Sequence, residues 1–451
     1  MNGNVLGTES IISLFLKYSI PAIAGMLFLG LNTIVDGFFV GNYIGVNALA
    51  SVNIAMPFFS VMIAVGVIIG IGAQSFIGRK LGEGDIKEAG DAFKTSLFSV
   101  GAISLILSVI AVGFTEQMAV FLGANKQLLV LVTTYISWTG IFLPFLGIMF
   151  VLDYVLKILG KPVYSMQILV VAVISHMMLN YLLIARLGLG IKGAALTAGL
   201  GYSIAFVMAV LPFITGKTTL KLSEGSFKKT LACKIIYNGS SEGLAEIGTG
   251  VTAFLFNITL MRYVGEVGVA AFTAISYLSF IGNNILIGLS DGVGAIISYN
   301  YGSGKMERVK KVLQLAGFSA FVIGVGLFIA ISAFAREIIV IFLDVHNDTV
   351  LDFAEYGAKL YASAFIVNGL NIVASGYFTA ICKPQSAVLI ALSKGIVWIG
   401  AGIVILPELF GIRGIWLTVP VAEMLTLLLS AALLYNHYKY QSRRVPPQFE
   451  Q

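Results

Sequence analysis

Long apolar runs alternate along the chain with short segments that collect charge, glycine and proline, and inside the runs the apolar positions are continuous. Continuity over ~20 residues is the mark of a membrane-spanning helix, whereas a strand of a membrane barrel alternates at every second position. The pattern predicts twelve spanning helices, near 14–40, 48–75, 93–113, 128–152, 163–185, 193–215, 235–261, 269–296, 312–333, 351–381, 385–406 and 414–436. The expected fold is an all-α polytopic membrane protein.

Composition agrees with the pattern. Of 451 residues, 58% are hydrophobic and 11% charged, against roughly 45–50% and ~25% in soluble chains. So few charges cannot coat a water-soluble surface. The 50 glycines suit closely packed membrane helices. Two cysteines, Cys233 and Cys382, cannot build a disulfide framework, and His176, His346 and His437 are too scattered for an obvious metal cluster. The apolar stretch after Lys17 is long enough to span and is followed by more of the same, so no cleavable signal is needed.

The net charge of +6 points to orientation rather than to nucleic acid, because the basic residues sit in loops. One side collects 18 Lys and Arg, among them Arg79, Lys80, Lys161, Lys228 and Lys305; the other collects 6, and four more fall in or beside helices. The positive-inside rule places the first side, with both termini, in the cytoplasm.

The chain is also written twice. Leu81-Gly-Glu-Gly84 recurs as Tyr301-Gly-Ser-Gly304, Gly160-Lys-Pro162 as Cys382-Lys-Pro384, and Gly190-Ile-Lys-Gly-Ala-Ala-Leu-Thr197 as Gly411-Ile-Arg-Gly-Ile-Trp-Leu-Thr418. Three matches in one order predict two parallel six-helix halves, 1–216 and 235–451, joined by a basic cytoplasmic linker at 217–234. Paired halves that rock to give alternating access are a recurrent transporter design.

Charges at helix depth are expensive, so each is expected to face a cavity or a partner. Asp36, Asn180 and Thr197 fall in the outer third of the first, fifth and sixth predicted helices. One carboxylate with an amide and a hydroxyl at matched depth suits a proton or a hard cation. Taken singly, Asn180 and Thr197 also read as interhelical hydrogen-bond glue. Glu242 and Glu246, spaced i, i+4 on one face of the seventh helix, are expected to attract cationic substrates, although Glu242 also reads as a helix cap. Asn53 and Met56 join them as substrate-binding candidates. Lys394 and Glu423 are expected to neutralise each other. Asp153 and Asp291 are expected near cytoplasmic helix ends, touching water or backbone donors. Met26, Met56, Met62, Phe58 and Phe59 either line an adaptable pocket or make plain core and lipid contacts.

These residues bring a family into view. From about Leu14 to Tyr435 the chain resembles the multidrug and toxic compound extrusion (MATE) family, most clearly in Val35-Asp-Gly-Phe-Phe-Val-Gly41, Ser51-Val-Asn-Ile-Ala-Met-Pro57 and Leu189-Gly-Ile-Lys-Gly-Ala-Ala195. Asn238-Gly-Ser-Ser-Glu242 and Gly411-Ile-Arg-Gly-Ile-Trp416 carry it through the second half. The resemblance implies two six-helix lobes around a central V-shaped cavity, and export of bulky, often cationic compounds in exchange for inward H⁺ or Na⁺. It also implies a coupling site on a first-helix aspartate and a fifth-helix asparagine, matched here by Asp36 and Asn180, which would be the ligands of any Na⁺. Members often carry a second aspartate one turn after that asparagine, where this chain has Ile184. That departure removes a negative ligand and favours protons.

No resident cofactor is expected beyond the coupling ion, and the expected partners are small organic substrates and the bilayer, with the protein a monomer in the cell's cytoplasmic membrane. The rival reading is a lipid-linked oligosaccharide or lipid flippase of the same architecture, which should place several Arg or Lys in its cavity. An enzyme is not expected, since no nucleophile–His–acid or metal-ligand constellation is legible.

Overall fold

A computed structural model describes residues 5–342 and 348–444. His346 and the extreme termini lie outside the described residues. Every regular element among the described residues is helical. In chain order they are α1 (Val5–Thr8), α2 (Ile11–Phe39), α3 (Val46–Gly82), α4 (Ile86–Gly113), α5 (Thr115–Phe121), α6 (Leu129–Gly140), α7 (Leu143–Ile158), α8 (Pro162–Leu179) and α9 (Gly190–Ile214). Then come α10 (Lys229–Tyr263), α11 (Glu266–Gly302), α12 (Met306–Phe342), α13 (Asp348–Ala362), α14 (Phe365–Ala380), α15 (Pro384–Leu392), α16 (Trp398–Phe410) and α17 (Ile412–Arg444).

Ten helices among the described residues are long and apolar enough to cross a membrane, and eleven if a bent pair is one span. That pair is α6 and α7, which meet at 50° around Ile141 and Phe142, so the predicted span 128–152 is broken rather than straight. Pro144 explains the break: at the start of α7 it needs no amide partner, but it cannot continue the hydrogen bonding of α6. The predicted span 351–381 is likewise split, into α13 and α14, with Asp352, Glu355 and Lys359 making α13 the more polar piece.

Local sequence sets the ends. Ser10 caps α2 by accepting from the Ser13 amide, and Asp85 caps α4 by accepting from the Glu88 amide at 2.9 Å. The repeated turn before Pro162 and Pro384 needs a left-handed residue, supplied by Gly160 (φ +83°) in one copy and by Cys382 (φ +56°) in the other. Three π-helical segments interrupt the α-helical pattern, at Val40–Ile44 after α2, Asn180–Arg186 after α8 and Ser393–Val397 after α15. Such turns widen a helix locally and recur at functional sites. Each lies within a turn or so of an intramembrane polar residue: Asp36, Asn180 and Lys394.

The described chain divides into two compact units. The first takes in 1–243, 291–312 and 379–382; the second takes in 244–290, 313–378 and 383–451. Within the first, the twin glycines of the repeat meet. A Cβ on Gly82 would run into the Tyr299 carbonyl, and one on Gly302 into the Arg79 carbonyl, so α3 and α11 cross in backbone contact. The basic linker is fastened to the start of α4. Asp91 accepts from the Ser226 amide at 2.8 Å and pairs with Lys228, while Lys94 donates to the Leu222 carbonyl at 2.8 Å. The hydrogen bond to Asp91 raises the Lys228 ammonium above its usual value.

Candidate functional site

Gly25 lets α2 lie close against Leu169 of α8, and this packing brings two polar pairs face to face. Asn32 and Asp36 are one turn apart on α2. His176 lies on α8, and Asn180 begins the π-helical segment one turn later. The Asn180 amide donates to Asp36 Oδ1 at 2.8 Å. His176 reaches both residues of α2: Nε2 lies 3.2 Å from Asp36 Oδ1 and Nδ1 lies 2.8 Å from Asn32 Oδ1. His176 and Asn180 are buried, whereas Asp36 keeps partial exposure. Tyr135 of α6 and Tyr202 of α9 lie within electrostatic reach of Asp36.

The structure therefore brings Asp36 and Asn180 together. It does not bring Thr197 to them through a hydrogen bond, because the Thr197 hydroxyl donates to the Ala194 carbonyl at 2.8 Å within its own helix. Asn180 Oδ1 is buried without a partner, and Ile184 is buried as well. Sequence reasoning missed His176. The signal was present as matched spacing: His176 precedes Asn180 by four residues, as Asn32 precedes Asp36.

Asn53 and Met56 are exposed on α3, while Phe58, Phe59 and Met62 on the same helix are core residues. Met26 borders a small cavity that includes Asp153, Lys157 and Ser165. Glu242 is half-buried and lies within electrostatic reach of Tyr154; Glu246 is exposed and makes no hydrogen bond or ion pair among the described residues.

In the second unit Lys394 pairs with Glu423 at 3.0 Å, the mutual neutralisation expected. Four further side chains, not foreseen, complete the network. Asn371 donates to Glu423 Oε2 at 2.8 Å and accepts from Ser430 at 3.0 Å, and Lys394 donates to Asn368, whose amide donates to Asn283 at 2.7 Å. Both carboxylate oxygens of Glu423 are thus engaged, one by Lys394 and one by Asn371.

Asp153 and Asp291 meet side chains, Lys157, Ser165 and Tyr154, where water or backbone donors were expected. Both are buried in the first unit, at 3% and 8% exposure. Helix ends reach water only when nothing covers them, and here α7, α8 and α11 cover one another. No group of three or more His, Cys, Asp or Glu side chains among the described residues is arranged to hold a metal ion.

Comparison with known proteins follows from this geometry. The MatE family profile matches residues 21–182 and 244–400. The chain is 27% identical over 430 residues to the multidrug export protein MepA of Staphylococcus haemolyticus, covering 95% of this chain and 94% of that one. It is 25% identical over 422 residues to MepA of Staphylococcus aureus, covering 93% and 92%. Among solved structures, a MOP superfamily transporter from Pyrococcus furiosus superposes with a TM-score of 0.90 at 20% identity over 99% of each chain, a likeness of fold. The MATE multidrug transporter DinF-BH gives 0.87 at 25% identity, over 95% of this chain and 96% of that one.

Proposed function

The chain belongs to the MatE family, and from that premise we propose that it exports bulky, often cationic organic compounds across the cytoplasmic membrane in exchange for inward protons, by alternating access. The names of the staphylococcal relatives, multidrug export proteins, support multidrug export as the activity. The loop charges support an orientation with both termini in the cytoplasm, and a single chain is taken as the working unit.

The observation that carries proton coupling is the placing of His176 between two oxygens. Its Nδ1 faces the Asn32 amide oxygen and its Nε2 faces the Asp36 carboxylate. A neutral imidazole donates from one nitrogen only. With Nδ1 donating to Asn32, Nε2 faces Asp36 Oδ1 at 3.2 Å without completing a hydrogen bond to it. We read this pair as the place where the coupling proton is taken up, with Asp36 as its acceptor, and Asn180 holds the same carboxylate oxygen in place.

Sodium is the second reading, and the unpartnered Asn180 Oδ1 favours it, since a buried carbonyl oxygen without a donor suits a cation. Against sodium stands Ile184 in place of an acid. In proteoliposomes, a pH gradient alone should drive efflux of a fluorescent cation, with little change when a sodium gradient is added. Efflux driven by sodium at fixed pH, with none from a pH gradient, overturns the reading.

Glu242 and Glu246 are assigned to attract the cationic substrate, with Asn53 and Met56 as further contacts. Flipping of an anionic lipid carrier is disfavoured because Lys157 and Lys394, two lysines within helices, are matched by Asp153 and Glu423.

A further inference from the structure

Inside the first unit, on the side where the loops collect most Lys and Arg, a second titratable cluster lies apart from Asp36. Asp153 and Lys157, one turn apart on α7, pair at 2.9 Å, and Ser165 of α8 hydrogen-bonds Asp153. Asp291 of α11 accepts from the Tyr154 hydroxyl at 3.1 Å. The Lys157 ammonium sits 4.4 Å from the centre of the Tyr154 ring, within electrostatic reach of Asp291. Glu242 of α10 is a further acid that acts on Tyr154.

Charge accounting sets this cluster apart from a structural ion pair. Asp153, Lys157 and Asp291 are all buried, and they comprise two carboxylates and one ammonium. Asp153 takes the ammonium and a hydroxyl, whereas the hydrogen-bond donor to Asp291 is a neutral phenol. A carboxylate buried with only a share of one cation is costly to keep bare, so Asp291 is the member of the cluster suited to take up a proton.

Two independent features point the same way. Ser19 Oγ and Gln74 Nε2 are buried polar atoms without partners on the turns packed against the cluster. Gly292, next to Asp291, lies against the backbone of Tyr18 and Ser19, and Gln74 is one turn from Gly70, which carries the Tyr154 ring. In addition, a small cavity joins Asp153, Lys157 and Ser165 to one face of α2, from Pro21 and Ala22 through Met26 to Leu29. Leu29 is three residues from Asn32, the residue that His176 ties to the Asp36 site. From Asp36 to Ala22 the rise along α2 is about 21 Å.

We propose that the Asp153–Lys157–Tyr154–Asp291 cluster is the inner proton station of this transporter, with Asp291 holding a proton that it gives up to the cytoplasm. The O–H bond of Asp291 breaks, the proton passes to water admitted when the transporter opens to the cytoplasm, and the carboxylate left behind accepts from Tyr154 within electrostatic reach of Lys157. A proton released from Asp36 and carried inward by water restores the acid. This rests on the proton-coupled reading of Asp36, and the test separates the two.

The carboxylic-acid C=O stretch is measured by infrared spectroscopy on the purified full chain at pH 5. One component of this band should be present in the wild type and in Asp36→Asn, lost in Asp291→Asn, and shifted but retained in Tyr154→Phe, which removes only the donor. In proteoliposomes, ethidium export driven by a pH gradient should fall at least ~10-fold in Asp291→Asn and recover in Asp291→Glu. Ethidium binding in detergent should stay within about twofold of wild type in both variants, since neither touches the substrate. A spectrum unchanged by Asp291→Asn, or unmoved by Tyr154→Phe, overturns the proposal, as does full export by folded Asp291→Asn. Undiminished export by Asp36→Asn defeats the coupling reading instead and leaves the Asp291 band standing.

Discussion

Asp36 is a single carboxylate whose oxygen Oδ1 collects two nitrogen neighbours, Asn180 Nδ2 and His176 Nε2. An amide in its place keeps the shape of the site but carries neither the charge nor the exchangeable proton. Asp36→Asn is therefore expected to lower pH-driven export by at least ~100-fold while the protein still inserts and folds. Asn180→Ala should cost less, because the lost amide held the carboxylate without carrying the proton. Efflux assays beside a folding check by gel filtration read both, and unimpaired export by folded Asp36→Asn would remove it from the coupling site. The acids of α10 act differently, through attraction alone. Removing both Glu242 and Glu246 should slow export of a permanent cation more than of a neutral compound of similar size. Equal losses for the two substrates would dismiss that role. At this scale the sequence exposed what costs most, charges inside apolar helices, so Asp36, Glu242, Glu246, Lys394 and Glu423 were legible. His176 and Asn371 were not, because a neutral imidazole or amide breaks no apolar run; their roles depend on which helix faces them.

Helices and their crossings explain why the repeat survives in the sequence. Gly82 and Gly302, the second residues of Leu81-Gly-Glu-Gly84 and Tyr301-Gly-Ser-Gly304, each face a backbone carbonyl at the crossing of α3 and α11. Close backbone approach is what small residues at membrane helix crossings provide. A methyl group at either position meets a carbonyl oxygen that no rotamer can move aside. Gly302→Ala should therefore destabilise by about 1–3 kcal/mol, read as a drop in thermal midpoint in detergent, while Gly326→Ala on α12, where nothing lies within 4 Å of the added carbon, serves as the control. An unchanged midpoint for Gly302→Ala would mean the two helices are free to separate there. Apolar run length located most spans, and glycine–proline pairs located the turns. The breaks between α6 and α7 and between α13 and α14 were not legible as breaks, because apolar residues run through both. The π-helical segments beside Asp36, Asn180 and Lys394 escaped for another reason: one extra residue in a turn leaves no compositional trace.

At the scale of the whole molecule, the asymmetry of loop charge makes an orientation testable with the chain's own cysteines. Cys233 is an exposed free thiol near the start of α10, beside Lys229 and Lys234 in the basic stretch. The positive-inside rule puts that stretch in the cytoplasm. Cys382 is only partly exposed, and burial pushes its thiol up to about 11, so little of it is the reactive thiolate at neutral pH. A membrane-impermeant maleimide should therefore label the protein in inside-out vesicles and leave it unlabelled in intact cells, with Cys233→Ser abolishing nearly all of the signal. Because labelling reads only which face the thiol occupies, it is independent of transport, of the coupling ion and of substrate. Rapid labelling of Cys233 from outside intact cells would reverse the orientation, and with it the direction assigned to proton flow between Asp36 and Asp291.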